Sequence, residues 1–469
     1  MRRHRLLPLC GLLLATACGS STETTASASL YAVNGARFPA VTPGDTATWA
    51  GYGFGEEQGP GTVLVTTGAG LSAASVSAWR DGEIQAVLPE DVASGSTYVI
   101  TATDTLGPLD LFVRPRGAYD PAAHVWAADA TLPVPLAGAA ASAVRFPQVG
   151  GAGSLVVLHG GRLPDSSLNG ATYLGFVGTN GRITEWREAP DTVIPPGRWL
   201  HAGTGSDRTT AVLQDVEAVA YVLGGIDSAG RVLADALGLG VTASGGYGLW
   251  TALAPLPYRR AGAAAATAFS RVYVMGGFGS DSLATRTVTY ATVLPTGILN
   301  GWFQGPDLPD GRAFAAAAIV GSTLFVLGGE RGLVDPSGVA DSSQFAATVY
   351  AIRLSPLSGA FRDTTWTELP TTLLRPRSRA SAFVVDDALV VTGGVYMGMP
   401  SAGETEFATV TNGLPGTFQE FPGEPLASLA GGPVWLASAP AVWTAAGTGR
   451  VALVGGLVSG TPTAQAWSQ

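Results

Sequence analysis

The chain has 469 residues, 35 acidic and 26 basic side chains and a formal charge of −9. Every basic residue is arginine, which excludes Schiff-base chemistry, a phosphate-loop lysine and a lysine general base. The acidic balance argues against nucleic acid as a partner, because such a surface repels phosphate.

In chain order, residues 1–17 carry Arg2, Arg3 and Arg5, then an apolar run from Leu6 to Ala17 ending in small residues. A charged start, about a dozen apolar residues and a small-residue cleavage site describe a secretory signal too short to span a bilayer. Leu14-Ala15-Thr16-Ala17-Cys18 also resembles the bacterial lipoprotein signal, which implies lipidation of Cys18 and export. Gly19 after the cysteine implies the outer membrane, on its periplasmic side or at the cell surface. A plain signal cleaved near Ala17 is the alternative. Cys10 leaves with the signal, so no cysteine remains for a disulfide or a thiolate metal site. Residues 18–29 are then a lipidated cysteine and a Ser/Thr/Ala-rich tether, the protein's one membrane contact. Three histidines remain, His124, His159 and His201, each in or beside a strand of a different repeat, and no metal or other cofactor is expected.

Residues 30–116 show strand-like runs at Thr46–Trp49, Thr62–Thr66, Ser75–Trp79, Ile84–Val87, Tyr98–Ala102 and Leu109–Val113, separated by turns at Pro43-Gly44, Asp81-Gly82 and Ser94-Gly95. That spacing predicts a small β-sandwich. Pro43-Gly44, Gly51-Tyr52-Gly53-Phe54-Gly55, the Trp79–Ile84 hairpin and Val87-Leu88-Pro89 resemble the IPT/TIG immunoglobulin-like family, whose members act as spacers or binding modules. No helix-forming segment follows the glycine-rich run, so it reads as a tight turn rather than a nucleotide loop.

From residue 117 onward a glycine pair closes six apolar runs: Gly160-Gly161, Gly224-Gly225, Gly276-Gly277, Gly328-Gly329, Gly393-Gly394 and Gly455-Gly456. The intervals are 64, 52, 52, 65 and 62 residues, and Trp126, Trp186, Trp250, Trp302 and Trp366 form a second series of landmarks. Arg260, Arg312 and Arg377 keep the same step, with Arg198 one repeat earlier. Each unit reads as four strands, with the glycine pair ending the second and the Trp opening the fourth. Arg260-Ala261-Gly262-Ala263, Val272 to Gly277, Thr287 to Tyr290, Trp302 and Leu308-Pro309 resemble the kelch family over roughly residues 118–469. The likeness departs at Phe421, which stands in place of a Trp, and in the two repeats that lack the Arg. The expected fold is therefore all-β: an Ig-like sandwich followed by a six-bladed kelch-type propeller over 117–469. The strand near Trp126 completes the last blade and closes the ring; an open array of repeats is the alternative.

Function is expected in the loops that follow the glycine pairs and lead into the first strands. They collect Arg162, Asp165, Arg198, Asp227, Arg259, Arg260, Asp281, Glu330, Arg331, Arg375 and Arg377. An Arg repeating once per blade serves the blade; non-repeating charges are better ligand contacts, namely Glu330, Arg331, Arg162 and Asp227. No G-x-S-x-G or H-E-x-x-H occurs, so no catalytic residue is assigned. The expectation is a monomeric envelope lipoprotein that binds a protein or a glycan. The alternative is an enzyme on acidic sugars of the sialic-acid-epimerase type; the copper radical oxidases of the family need a cysteine this chain lacks.

Overall fold

A computed structural model describes residues 28–34, 39–113, 119–121, 125–148, 151–206, 216–242, 244–294, 296–336, 342–355, 358–396, 399–400, 405–411, 413–422, 426–431, 434–435, 441–445 and 448–469. The expected signal, Cys18, the tether up to residue 27 and His124 lie outside the described residues. The fold is all-β with many small antiparallel sheets; one helical turn, Leu426–Ala430, and one 3-10 turn, Ser342–Gln344, are the described exceptions. No described helix is long and apolar enough to cross a membrane.

Two sheets come first. One orders Ser29–Val33, Thr46–Tyr52, Glu83–Val87 and Ser75–Arg80; the other orders Ala40–Val41, Thr105–Val113, Val92–Ile100, Thr62–Thr67 and Gly70–Ala73. Alternate residues of both meet in one buried cluster around Trp49, Ile84, Val63, Val65, Val99 and Leu111, as a two-residue side-chain period requires. The Trp49 indole N–H reaches across to Thr97 Oγ1 at 3.0 Å. The Gly51–Gly55 run is a tight turn: Gly53 and Gly55 take φ of 76° and 87°, and the Gly55 N–H donates to Asp81 Oδ1.

Six antiparallel sheets follow, five of four strands and one of five. The first runs Ala140–Gln148, Gly151–His159, Thr172–Val177 and Ile183–Glu188; the second Ala202–Ser206, Val216–Leu223, Ala236–Thr242 and Thr251–Ala252. The third runs Ala264–Ala268, Arg271–Met275, Val288–Val293 and Leu299–Gln304; the fourth Ala316–Val320, Thr323–Leu327, Thr348–Arg353 and Thr367–Thr372. The fifth runs Ser381–Val385, Ala388–Thr392 and Thr405–Thr411, with both Leu414–Pro415 and Gln419–Glu420 paired to the last of these. In the sixth, Ala441–Ala445, Thr448–Val454 and Ala466–Ser468 are joined by Ala127–Ala128 from the other end of the repeat region, paired with Ser468 and Trp467.

The second strands are apolar on both faces because both faces are buried. Val272 and Val274 pack toward the second sheet, Tyr273 and Met275 toward the fourth. Every sheet shares one cluster with its predecessor and another with its successor, and the sixth shares Ala452 and Val454 with Val156 and Leu158 of the first. Burying one such large apolar side chain contributes roughly 1.5–3 kcal/mol.

Glycine pairs make the seams. Both members take positive φ, 60–67° for the first and 89–104° for the second. The second glycine's N–H donates to a lead-in carbonyl of the next sheet: Gly161 to Arg198, Gly225 to Arg260, Gly277 to Arg312, Gly329 to Arg377, Gly394 to Val434 and Gly456 to Leu136, at 2.6–3.1 Å. A Cβ on the first glycine would lie 2.1–2.9 Å from that same oxygen, closer than any side chain tolerates. Tryptophan works in the opposite direction. The indole N–H of Trp186 donates to Ala130 O, Trp250 to Thr172 Oγ1, Trp302 to Ala254 O and Trp366 to Pro306 O, in each case the preceding sheet or its exit. Trp126 packs edge-on to Phe383 of the fifth sheet. In the fifth sheet the equivalent residue is Phe418, buried against the fourth; Phe421, expected there from sequence, lies three residues on and packs toward the sixth. With no Trp in this repeat, the sequence alone does not choose between two phenylalanines three residues apart.

Candidate functional site

Residues directly after the glycine pairs converge with the lead-in residues. Ile226, Phe278, Val395 and Leu457 meet Ala137, Trp199, Leu200, Ala261, Ala313 and Phe314 in a single buried apolar cluster. Below it Gly138, Leu200, Gly262, Phe314 and Arg379 occupy one register, all with φ of 51–61°, and each N–H from Leu200 onward donates to the preceding member's carbonyl. Beneath this chain of hydrogen bonds a cavity of about 130 Å³ is walled by alanine and glycine of the first strands, with His201, Ser381 and Arg379 at its edge.

Two of the sequence-derived candidates sit at that post-glycine register. Glu330 is fully buried: its Oε1 accepts from Ser378 Oγ at 2.6 Å and from Arg379 Nε at 3.0 Å, while Oε2 has no hydrogen-bond partner among the described residues. The Arg379 guanidinium lies 4.3 Å over Phe314. This is a closed internal ion pair, not an open loop contact. Arg162 exchanges backbone hydrogen bonds with Ala137 and stacks its guanidinium 4.4 Å over Trp199. Arg331 is half-exposed and pairs with Asp310 at 2.9 Å. Asp227 is buried and organises a turn, accepting from the N–H groups of Ala229 and Arg231 and from the Arg231 guanidinium at 2.7–2.8 Å.

The repeating arginines are buried and serve their own sheets. Arg198, Arg260 and Arg377 donate to the carbonyls of Gly224, Gly276 and Gly393, the first glycines of their sheets. Arg198 adds Asp235, Arg377 pairs with buried Glu406 at 2.7 Å, and Arg312 joins Asp310, Thr348 and Tyr350. Arg260 has no carboxylate partner among the described residues, and burial lowers its pKa to about 10. Burial pushes the Asp310 carboxyl up, but Arg312, Tyr350 and Arg331 outweigh it and hold it below the usual range.

No family model and no curated protein matches the chain.

A concavity lies on the loop side between the second and third sheets. It has a volume of about 430 Å³ and is lined by Arg231, Arg259, Ser280, Ser282 and Pro336 together with the buried Ile226, Val232 and Phe278. Arg231 is committed to Asp227, and Asp281 Oδ1 is taken up by the Leu283 N–H. Arg259 is exposed, donates Nη1 to the Val232 carbonyl at 3.1 Å, and has no carboxylate partner among the described residues. Ser282 stands at φ of 58° with its carbonyl fixed by the Val334 N–H. The sequence marked Arg259 only as one of many loop charges; nothing in it distinguished the serines, since a hydroxyl gains significance from the groups beside it.

A second assembly was invisible to spacing. His159 and His201, 42 residues apart, bring Nδ1 and Nε2 to 2.9 Å between the first two sheets, with both rings buried. Trp250 meets His159 edge-on at 5.1 Å. Burial and the nearby Arg198 charge drive His159 down to about 3; burial, His159 and Arg198 hold His201 well below the usual histidine value. Both imidazoles are therefore neutral. No group of three or more His, Cys, Asp or Glu among the described residues is arranged to hold a metal.

Proposed function

We propose that this protein is a binding module whose loop side holds its ligand in the cleft between the second and third sheets. In this reading residues 30–116 are an IPT/TIG-like Ig-fold spacer, and 117–469 a closed six-bladed kelch-type propeller fastened by the Ala127–Ala128 strand. The chain is an exported lipoprotein, anchored through Cys18 to the outer membrane, and acts as a monomer on an envelope protein or glycan. The observation that carries it is the cleft itself, lined by two hydroxyls and an exposed Arg259 that has no carboxylate partner among the described residues. The alternative, an enzyme on acidic sugars, is supported by a buried acid–arginine cluster, which Glu330 forms with Arg379 and Ser378; the exposed Arg259 at the cleft, without a carboxylate partner among the described residues, supports binding.

The test is to screen the full chain on glycan and peptide arrays beside Ser282→Trp, whose indole fills the cleft. Ligands bound by the native chain and lost by the variant support the reading. Ligands that the variant retains, or no ligand on either array, overturn it.

A further inference from the structure

We infer that the cleft recognises a carboxylate borne on a compact body. The inference rests on the cleft being the binding site and names the chemical group that fills it. Size comes first: about 430 Å³ falls within the range of sites for small ligands, which are concave and carry few polar groups. The lining comes next. Ile226, Val232 and Phe278 are buried, so Phe278 gives no open ring face on which a sugar would stack.

Charge then selects the head group. Around the cleft Asp227 is bound to Arg231, and Asp281 Oδ1 accepts from the Leu283 N–H. Arg259 keeps guanidinium N–H groups unspent after its one bond to Val232 O and has no carboxylate partner among the described residues. A planar guanidinium fork steadied at one nitrogen is matched by the two oxygens of a carboxylate. Ser280 and Ser282 line the same cavity and supply hydroxyls for an acceptor. The left-handed backbone at Ser282 is held by the Val334 N–H, so that wall is set before any ligand arrives.

The test titrates the full chain with para-ethylbenzoate, para-ethylbenzamide and galacturonate, followed by calorimetry and ligand-observed NMR. In the native chain benzoate should bind about fivefold tighter than the amide at low salt, with the preference shrinking as salt rises. Arg259→Gln should bring benzoate down to the level of the amide while leaving the melting temperature unchanged, because Arg259 is exposed. Ser282→Trp should abolish binding of both. Equal binding of acid and amide, tighter binding of galacturonate, a preference that survives Arg259→Gln, or no binding by any probe overturns the inference. Binding that persists in Ser282→Trp overturns the cleft as the site; binding lost in that variant but indifferent to the carboxylate overturns only the ligand class.

Discussion

Four seams of the repeat region lead into arginine, Arg198, Arg260, Arg312 and Arg377, and two lead into Val434 and Leu136. The same N–H to carbonyl hydrogen bond forms at all six, so the glycine pair makes the seam and the arginine reinforces the sheet it belongs to. A residue can thus repeat in step with a fold without being what joins the fold's parts.

Substitutions that separate the two roles should show it, the largest first. Gly276→Val places a Cβ 2.1 Å from Arg312 O and abolishes the left-handed turn, and should prevent soluble expression or cost more than about 4 kcal/mol. Gly393→Ala, whose nearest contact is Val434 O at 2.9 Å, should cost less by urea denaturation. If the two cost the same, close approach is not the reason for glycine.

Arginine comes second. Arg377→Met leaves Glu406 buried without its partner and should cost about 3–5 kcal/mol, whereas Arg260→Met strands only carbonyls and a hydroxyl and should cost about 1–3 kcal/mol. Equal losses would mean that Glu406 relaxes to water.

The histidine pair comes third. Both groups are depressed in the folded state, so the unfolded chain binds protons first as pH falls. Stability is full above the unfolded value near 6.5 and is lost on acidification toward about 3, the folded value of His159. The slope should approach about 1.4 kcal/mol per pH unit for each histidine. Urea midpoints between pH 7.5 and pH 5 measure it, and a His159→Leu/His201→Met double variant should lose that part of the slope. An unchanged slope would place the acid sensitivity elsewhere.

Smallest is the tryptophan seam. Trp302→Phe removes the N–H bonded to Ala254 O and should cost about 1 kcal/mol beyond its packing loss. Trp126→Phe should cost less, because its buried indole N–H has no hydrogen-bond partner among the described residues. A larger loss at Trp126 would show that this N–H finds a partner in solution.

Legibility followed the physics of each feature. The repeats were readable because glycine at positive φ and a Trp in a fixed gap admit few substitutes. At the fifth sheet, where phenylalanine replaces Trp, the register slipped from Phe418 to Phe421. Glu330 looked like a loop charge because its neighbours in sequence, Gly329 and Arg331, are loop-like; its partners Ser378 and Arg379 lie 48 and 49 residues away.

The sequence by itself determined the strand content, the period of the repeats and the absence of lysine chemistry, since these depend on local dihedral preference and residue identity. Only the tertiary structure decided which charges are spent on one another, that His159 meets His201, and that Arg259 faces a cleft. Those outcomes depend on distances between sheets, and no local rule of the chain encodes them.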